Sequence, residues 1–128
     1  MKLKTLFIIN TIVAGVFGLA FVIIPWQVFS FYGPETSDIL NYMGQLFGAA
    51  LIGFGLLSWR ARNADQSDAL AAIIFSFFIA DCIGFVVALI GQLNNVVNTF
   101  GWSTVAIYFL LALGFGYFQF SKTSSSET

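Results

Sequence analysis

The sequence predicts an all-α polytopic membrane protein, an antiparallel bundle of four transmembrane helices. Three observations carry that expectation. Of the 128 residues, 59% are hydrophobic and only 9% are charged, whereas a soluble domain carries about 25% charged residues. Four apolar stretches reach the roughly 20 residues that a helix needs to cross the hydrocarbon core. Finally, Lys and Arg occur in every second polar segment and are missing from those between. With so few charges a soluble fold could not cover its surface, and a bilayer removes that requirement.

The first stretch covers residues 5–24 and stops at Pro25. MKLKT followed by apolar sequence resembles a signal peptide. The uncharged run from Thr5 through Pro34 nevertheless exceeds the roughly 7–15 residues of a signal-peptide core, so it is read as a first span. Residues 25–38 contain Pro25, Gly33, Pro34 and Glu35 among the aromatics Trp26, Phe29, Phe31 and Tyr32. That mixture predicts a loop or short helix at the membrane interface, where amphipathic rings settle.

The second stretch covers residues 39–59, between Asp38 and Arg60. RARNADQS, residues 60–67, is a tight polar turn in which Asp65 is the expected N-cap of the next helix. The third stretch covers residues 68–91 and contains Asp81. QLNNVVNT, residues 92–99, is an uncharged polar turn, and the fourth stretch covers residues 100–120. Residues 1–121 are therefore expected to form one four-helix transmembrane domain. Residues 122–128 are expected to be a disordered cytoplasmic tail, too polar and short to fold alone.

Lys2 and Lys4 precede the first span, Arg60 and Arg62 follow the second, and Lys122 follows the fourth. All five cations fall on one side of a four-span chain. The positive-inside rule assigns that side to the cytoplasm, together with both termini. Trp26 and Trp102 would mark the outer interface and Trp59 the inner one.

In lipid, helices associate by close packing, and small residues four apart let backbones approach. The third stretch carries Ala72, Ser76, Ala80, Gly84 and Ala88, and the second carries Gly44 and Gly48. These residues are expected to form seams within the bundle, with a homo-oligomer or partner interface as the alternative. Gly53-Phe54-Gly55 recurs as Gly114-Phe115-Gly116, a faint echo of duplicated helical hairpins.

Chemistry has few places to reside. The net charge of −1 gives no nucleic-acid footprint. There is no histidine, the commonest metal ligand and general base. Cys82 is the single cysteine, so no internal disulfide, redox pair or zinc cluster can form. No metal and no cofactor are expected. Asp81 is the only acid inside a span, and such residues are paired, neutralised or functional. Tyr108 falls at almost the same depth, with Asn10, Thr11 and Gln45 within about two turns of it. With no basic residue at that depth, Asp81 is expected to be neutral and to donate a hydrogen bond. Two readings stand: a proton or cation site, or a neutral acid that holds helices together. Cys82 beside it has no activating base and reads as an inert hydrophobe.

With Arg60 and Arg62 after a Gly-rich second span ending in Trp59, the chain resembles small uncharacterised prokaryotic four-helix membrane proteins of the DoxX-like kind. The resemblance covers most of the length and is architectural, so it implies a four-helix membrane fold and transfers no catalytic motif. Small multidrug-resistance transporters are similar in size but carry their essential acid in the first helix, where this chain has Asn10 and Thr11. The vitamin K epoxide reductase family needs paired cysteines, which this chain lacks. The expected function is a non-enzymatic membrane subunit packing against lipids and partner membrane proteins. The competing class is a proton-coupled small-molecule transporter or binder using Asp81, Tyr108 and Gln45.

The charge pattern predicts that single cysteines at Ser37 and Asn95 will label from outside intact cells. Labelling of either position from the cytoplasmic side alone would overturn the four-span assignment.

Overall fold

Pro25 has no amide proton, and its ring disfavours helical geometry in the residue before it. The first long helix therefore ends there. In the computed structural model, which describes residues 1–33 and 35–126 and gives only the backbone for 122–126, α1 runs Leu3–Ile23. Ile24 leaves helical geometry at φ −132° and ψ 57°. Pro25 then occupies the first position of a short helix, α2, Pro25–Tyr32, where its missing donor is no loss. Gly33 ends α2 with φ 101°, a left-handed conformation that favours glycine. Pro34 lies outside the described residues.

Three long helices follow: α3, Asp38–Ala61; α4, Asp68–Leu93; and α5, Gly101–Ser126. No strand occurs among the described residues. Four helices, α1, α3, α4 and the Gly101–Ser121 part of α5, are long and apolar enough to cross a membrane.

Serines begin two of these helices. Ser37 accepts a hydrogen bond from the Leu40 amide at 3.2 Å, and Ser67 accepts one from the Leu70 amide at 3.1 Å. Each satisfies an amide that the helix itself leaves unpaired. Asp38 and Asp68 follow in the first turns, where their charge complements the helix dipole. The cap of α4 is thus Ser67 and not Asp65. Ser67 directly precedes the first helical residue, the place from which a side chain reaches the third amide.

The α4–α5 turn is closed by a Schellman motif. Asn95 has φ 58°, its amide donates to the Gln92 carbonyl at 3.1 Å, and the Val96 amide donates to the Gly91 carbonyl at 2.9 Å. Asparagine tolerates this left-handed geometry better than other residues with a side chain. The motif follows α4 to Leu93, two residues beyond the predicted end. At the other end of the chain α5 continues past 120 to Ser126, into the segment read as a tail; residues 127–128 lie outside the described residues.

The chain divides into two compact units, Met1–Asn63 and Ala64–Thr128. In the first, α1 and α3 form an antiparallel hairpin with α2 in the connection. Phe29 of α2 stacks edge-on against Phe21 of α1 with ring centroids 5.4 Å apart, and Phe21 meets Phe47 of α3 at the same separation. The two backbones come closest at Gly18 and Gly48. A Cβ placed on Gly48 would lie 2.7 Å from the Gly18 carbonyl oxygen, and one on Gly18 would lie 3.0 Å from the Gly48 carbonyl oxygen. Gly44 faces the Phe29 ring in the same seam.

In the second unit α4 and α5 form another hairpin. Its core contains the aromatic pair Phe77 and Phe115, 5.2 Å apart by ring centroids, and toward the outside the half-buried Phe85 meets the exposed Phe109 at 5.4 Å. On α4 the buried face runs Leu70, Ile74, Phe77, Asp81, then Gly84, on which the Tyr108 ring rests. The steps alternate four and three, the 3.5-residue period of helices crossing at a shallow angle. A strict four-residue stripe instead drifts by about 40° per step. This is why Ser76 and Ala80 are exposed and Ala88 half-buried, while Gly84 lies where the two patterns intersect. The two Gly-Phe-Gly triplets also differ in setting. Phe54 is exposed and Phe115 fully buried, because the seams meet the triplets at different phases.

Replacing Gly48 with Ala should lower stability in detergent by about 1–3 kcal/mol, since the added methyl meets backbone that cannot rotate away. A methyl group added at Gly53 would meet no other atom within 4 Å, so Gly53→Ala should be neutral or stabilise by up to about 1 kcal/mol. Thermal unfolding of the two variants checks the pair; equal effects would refute the close crossing.

Candidate functional site

Polar side chains inside apolar helices need partners, because hydrocarbon supplies none. In the first hairpin the partners come from the facing helix. Asn10 of α1 donates from Nδ2 to Ser58 Oγ of α3 at 2.7 Å. Asn10 is buried and Ser58 has no exposed surface. On the adjacent residue, the Thr11 hydroxyl lies 2.9 Å from the Phe7 carbonyl of its own helix and 3.2 Å from the Gly55 carbonyl across the seam. It has one proton and can donate fully to one of them at a time.

Gln45 sits near the other end of the same seam. Its Nε2 donates to the Val22 carbonyl at 3.0 Å. Val22 belongs to the last turn of α1, where carbonyls lack a helical partner. Gln45 therefore covers a helix end, which engages one of the two N–H donors of its amide. Twelve residues of α1 separate Asn10 from Val22, an axial distance of about 18 Å. Asn10 and Gln45 are consequently in one seam but not in one site.

In the second hairpin Asp81 is buried on the α4 face that meets α5. The Tyr108 ring packs over Gly84, one turn further along that face. Asp81 and Tyr108 thus share a seam, and no Lys, Arg or His occurs in α4 or in α5 through Ser121. Those segments offer the carboxyl no counter-charge. Cys82 is a free, half-buried thiol. Among the described residues no three His, Cys, Asp or Glu side chains come together to hold a metal ion.

Two polar residues in these seams escaped the sequence reading. Ser58 continues the α3 series Gly44, Gly48, Gly55 at the same alternating spacing, and that register could have revealed it. Gln92 falls in the stretch that the sequence predicts as a polar turn, yet it is buried within α4. Its Nε2 donates to the Asn98 carbonyl at 3.1 Å. Its Oε1 is buried with no hydrogen-bond partner among the described residues and faces Gly101, where any Cβ would collide with it. Glycine at 101 thereby lets α5 begin against the end of α4.

The four long apolar helices fit a multi-pass helical membrane protein. The chain belongs to a family described as a domain of unknown function, DUF8292, whose model matches residues 1–123. No curated protein and no solved structure matches it.

A double-mutant cycle tests the central polar pair. Asn10→Ala and Ser58→Ala should each destabilise the protein, and their combination should show a coupling of about 0.6 kcal/mol and no more than about 1.7, the range for hydrogen bonds between membrane helices. Strict additivity in detergent unfolding would mean that the pair makes no net contribution.

Proposed function

We propose that this protein is a small non-enzymatic subunit of the cell membrane, crossing it four times with both termini in the cytoplasm and packing against lipids and partner membrane proteins. The observation that carries this reading is the use of the polar groups in the first hairpin. Asn10, Thr11 and Gln45 are engaged by Ser58 and backbone carbonyls within the hairpin. Such groups hold helices together and leave few donors for a substrate. Large apolar side chains such as Ile12, Val16 and Leu19 on α1 and Ile83, Val87 and Ile90 on α4 are exposed, as contact with acyl chains or neighbouring helices requires. The distribution of the five cations supports the orientation. The DoxX-like resemblance agrees with the architecture and adds no reaction.

A second reading rests on Asp81. A buried acid in a hairpin with no basic residue in α4 or in α5 through Ser121 is the feature that proton-coupled transport or small-molecule binding would use, with Tyr108 as its neighbour along the seam. Gln45 is less suited to that role, since its amide already covers the end of α1.

The readings separate on two measurements with the wild type and Asp81→Asn. Under the subunit reading, affinity purification from native membranes yields a stoichiometric partner with both proteins, and proteoliposomes of the purified chain show no flux driven by a pH gradient. Proton-linked flux by the wild type alone, lost in Asp81→Asn, would overturn the subunit reading and establish the second.

A further inference from the structure

The antiparallel α1–α3 hairpin does something that its linear sequence conceals. Lys2 and Lys4 are separated from Arg60 and Arg62 by more than fifty residues, yet the hairpin returns both pairs to one end. The Asn10–Ser58 hydrogen bond fixes the register. From that level Arg60 and Arg62 lie about 3 and 6 Å further along α3, and Lys4 and Lys2 about 9 and 12 Å back along α1, in the same direction. Four cations therefore occupy a layer about 10 Å deep, comparable to the Debye length of roughly 8 Å at physiological salt.

Nothing in the hairpin neutralises them. Its two acids, Glu35 and Asp38, belong to the α2–α3 end; Asp38 is about 30 Å along α3 from Ser58. The first turn of α1 contains no acid and no side-chain cap. Among the described residues of the hairpin none of the four cations makes an ion pair. Lys2, Lys4 and Arg60 are exposed. Arg62 stands over the indole of Trp59, 3.5 Å from the ring centroid, and also donates to the Trp59 carbonyl. This stacking orders the guanidinium beside a ring suited to the headgroup layer, while its other N–H groups remain able to meet phosphate oxygens.

We propose that this end of the α1–α3 hairpin is a binding surface for anionic phospholipid headgroups. Lys2, Lys4, Arg60 and Arg62 supply the charge, and Trp59 sets the depth. The inference rests on the membrane-spanning reading. A cluster of four cations beside a membrane helix attracts acidic lipid by roughly fivefold per charge. This cluster is assembled only when the hairpin forms.

The test uses the full-length protein in nanodiscs made from equimolar phosphatidylglycerol and phosphatidylcholine, with retained lipid read by native mass spectrometry. The wild type should retain phosphatidylglycerol in preference to phosphatidylcholine, and the preference should shrink as salt rises. R60Q/R62Q should reduce it by at least about fivefold, and K2Q/K4Q should also reduce it. Glu35→Gln combined with Asp38→Asn, at the opposite end, should leave it unchanged. An equal preference in wild type and both basic-residue variants, or no preference in the wild type at any salt, would overturn the proposal. Sedimentation after alkaline carbonate treatment of membranes keeps the two levels apart. Release of the protein would overturn the membrane reading and this inference with it, whereas retention without lipid preference would overturn this inference alone.

Discussion

Hydrocarbon offers no hydrogen-bond partner, so any amide that enters it must be satisfied by the chain itself. Much of the local structure follows from that constraint. Long helices satisfy their own interiors and leave their ends exposed to the problem. Here the ends are closed by local means: serine caps at Ser37 and Ser67, a proline-started helix at Pro25, and an asparagine Schellman turn at Asn95. Gln45 reaches across to the last turn of α1 for the same reason. The polar side chains that look out of place in an apolar sequence are mostly located where the backbone needs them.

The same solvent changes what holds helices to one another. Between two helices in lipid, burial of apolar surface gives little, and close packing must do most of the work. The two hairpins meet this demand differently. In α1–α3, Gly18 and Gly48 remove the side chains at the crossing, so the main chains themselves come into contact. In α4–α5, bulky rings interlock through the Phe77–Phe115 and Phe85–Phe109 pairs, and Gly84 supplies the hollow that receives the Tyr108 ring. Small residues thus act in one case by admitting a backbone and in the other by admitting a ring.

These packing modes leave different chemical possibilities. Asn10, Thr11, Gln45 and Ser58 of the first hairpin hydrogen-bond within it, while the buried Asn41 Oδ1 has no partner among the described residues, and the hairpin ends in a basic layer. The second hairpin retains a buried carboxylic acid at Asp81 and no basic side chain along its membrane-length segments. Packing and charge placement, in contrast, are features of the first.

The sequence by itself determined the helical class, the number of membrane-length helices and, except for the C-terminal end of α5, their ends to within two residues, because these follow from local properties. A run of apolar residues, a proline and a serine before an apolar stretch each act on the nearest turn of backbone. It also singled out Asp81 and the glycines Gly44, Gly48 and Gly84 as residues for which an apolar helix must have a use. What it could not show was partnership. The stripe through Ser76 and Ala80 drifts off the buried face, and Ser58 proves to be the partner of Asn10, because the seam follows a 3.5-residue period that depends on how two helices cross. The separation of Asn10 from Gln45, the depth of Gln92 and the gathering of Lys2, Lys4, Arg60 and Arg62 at one end were likewise decided by the tertiary structure. Each depends on the register between antiparallel helices, and register is set by the fit of surfaces distant in the chain.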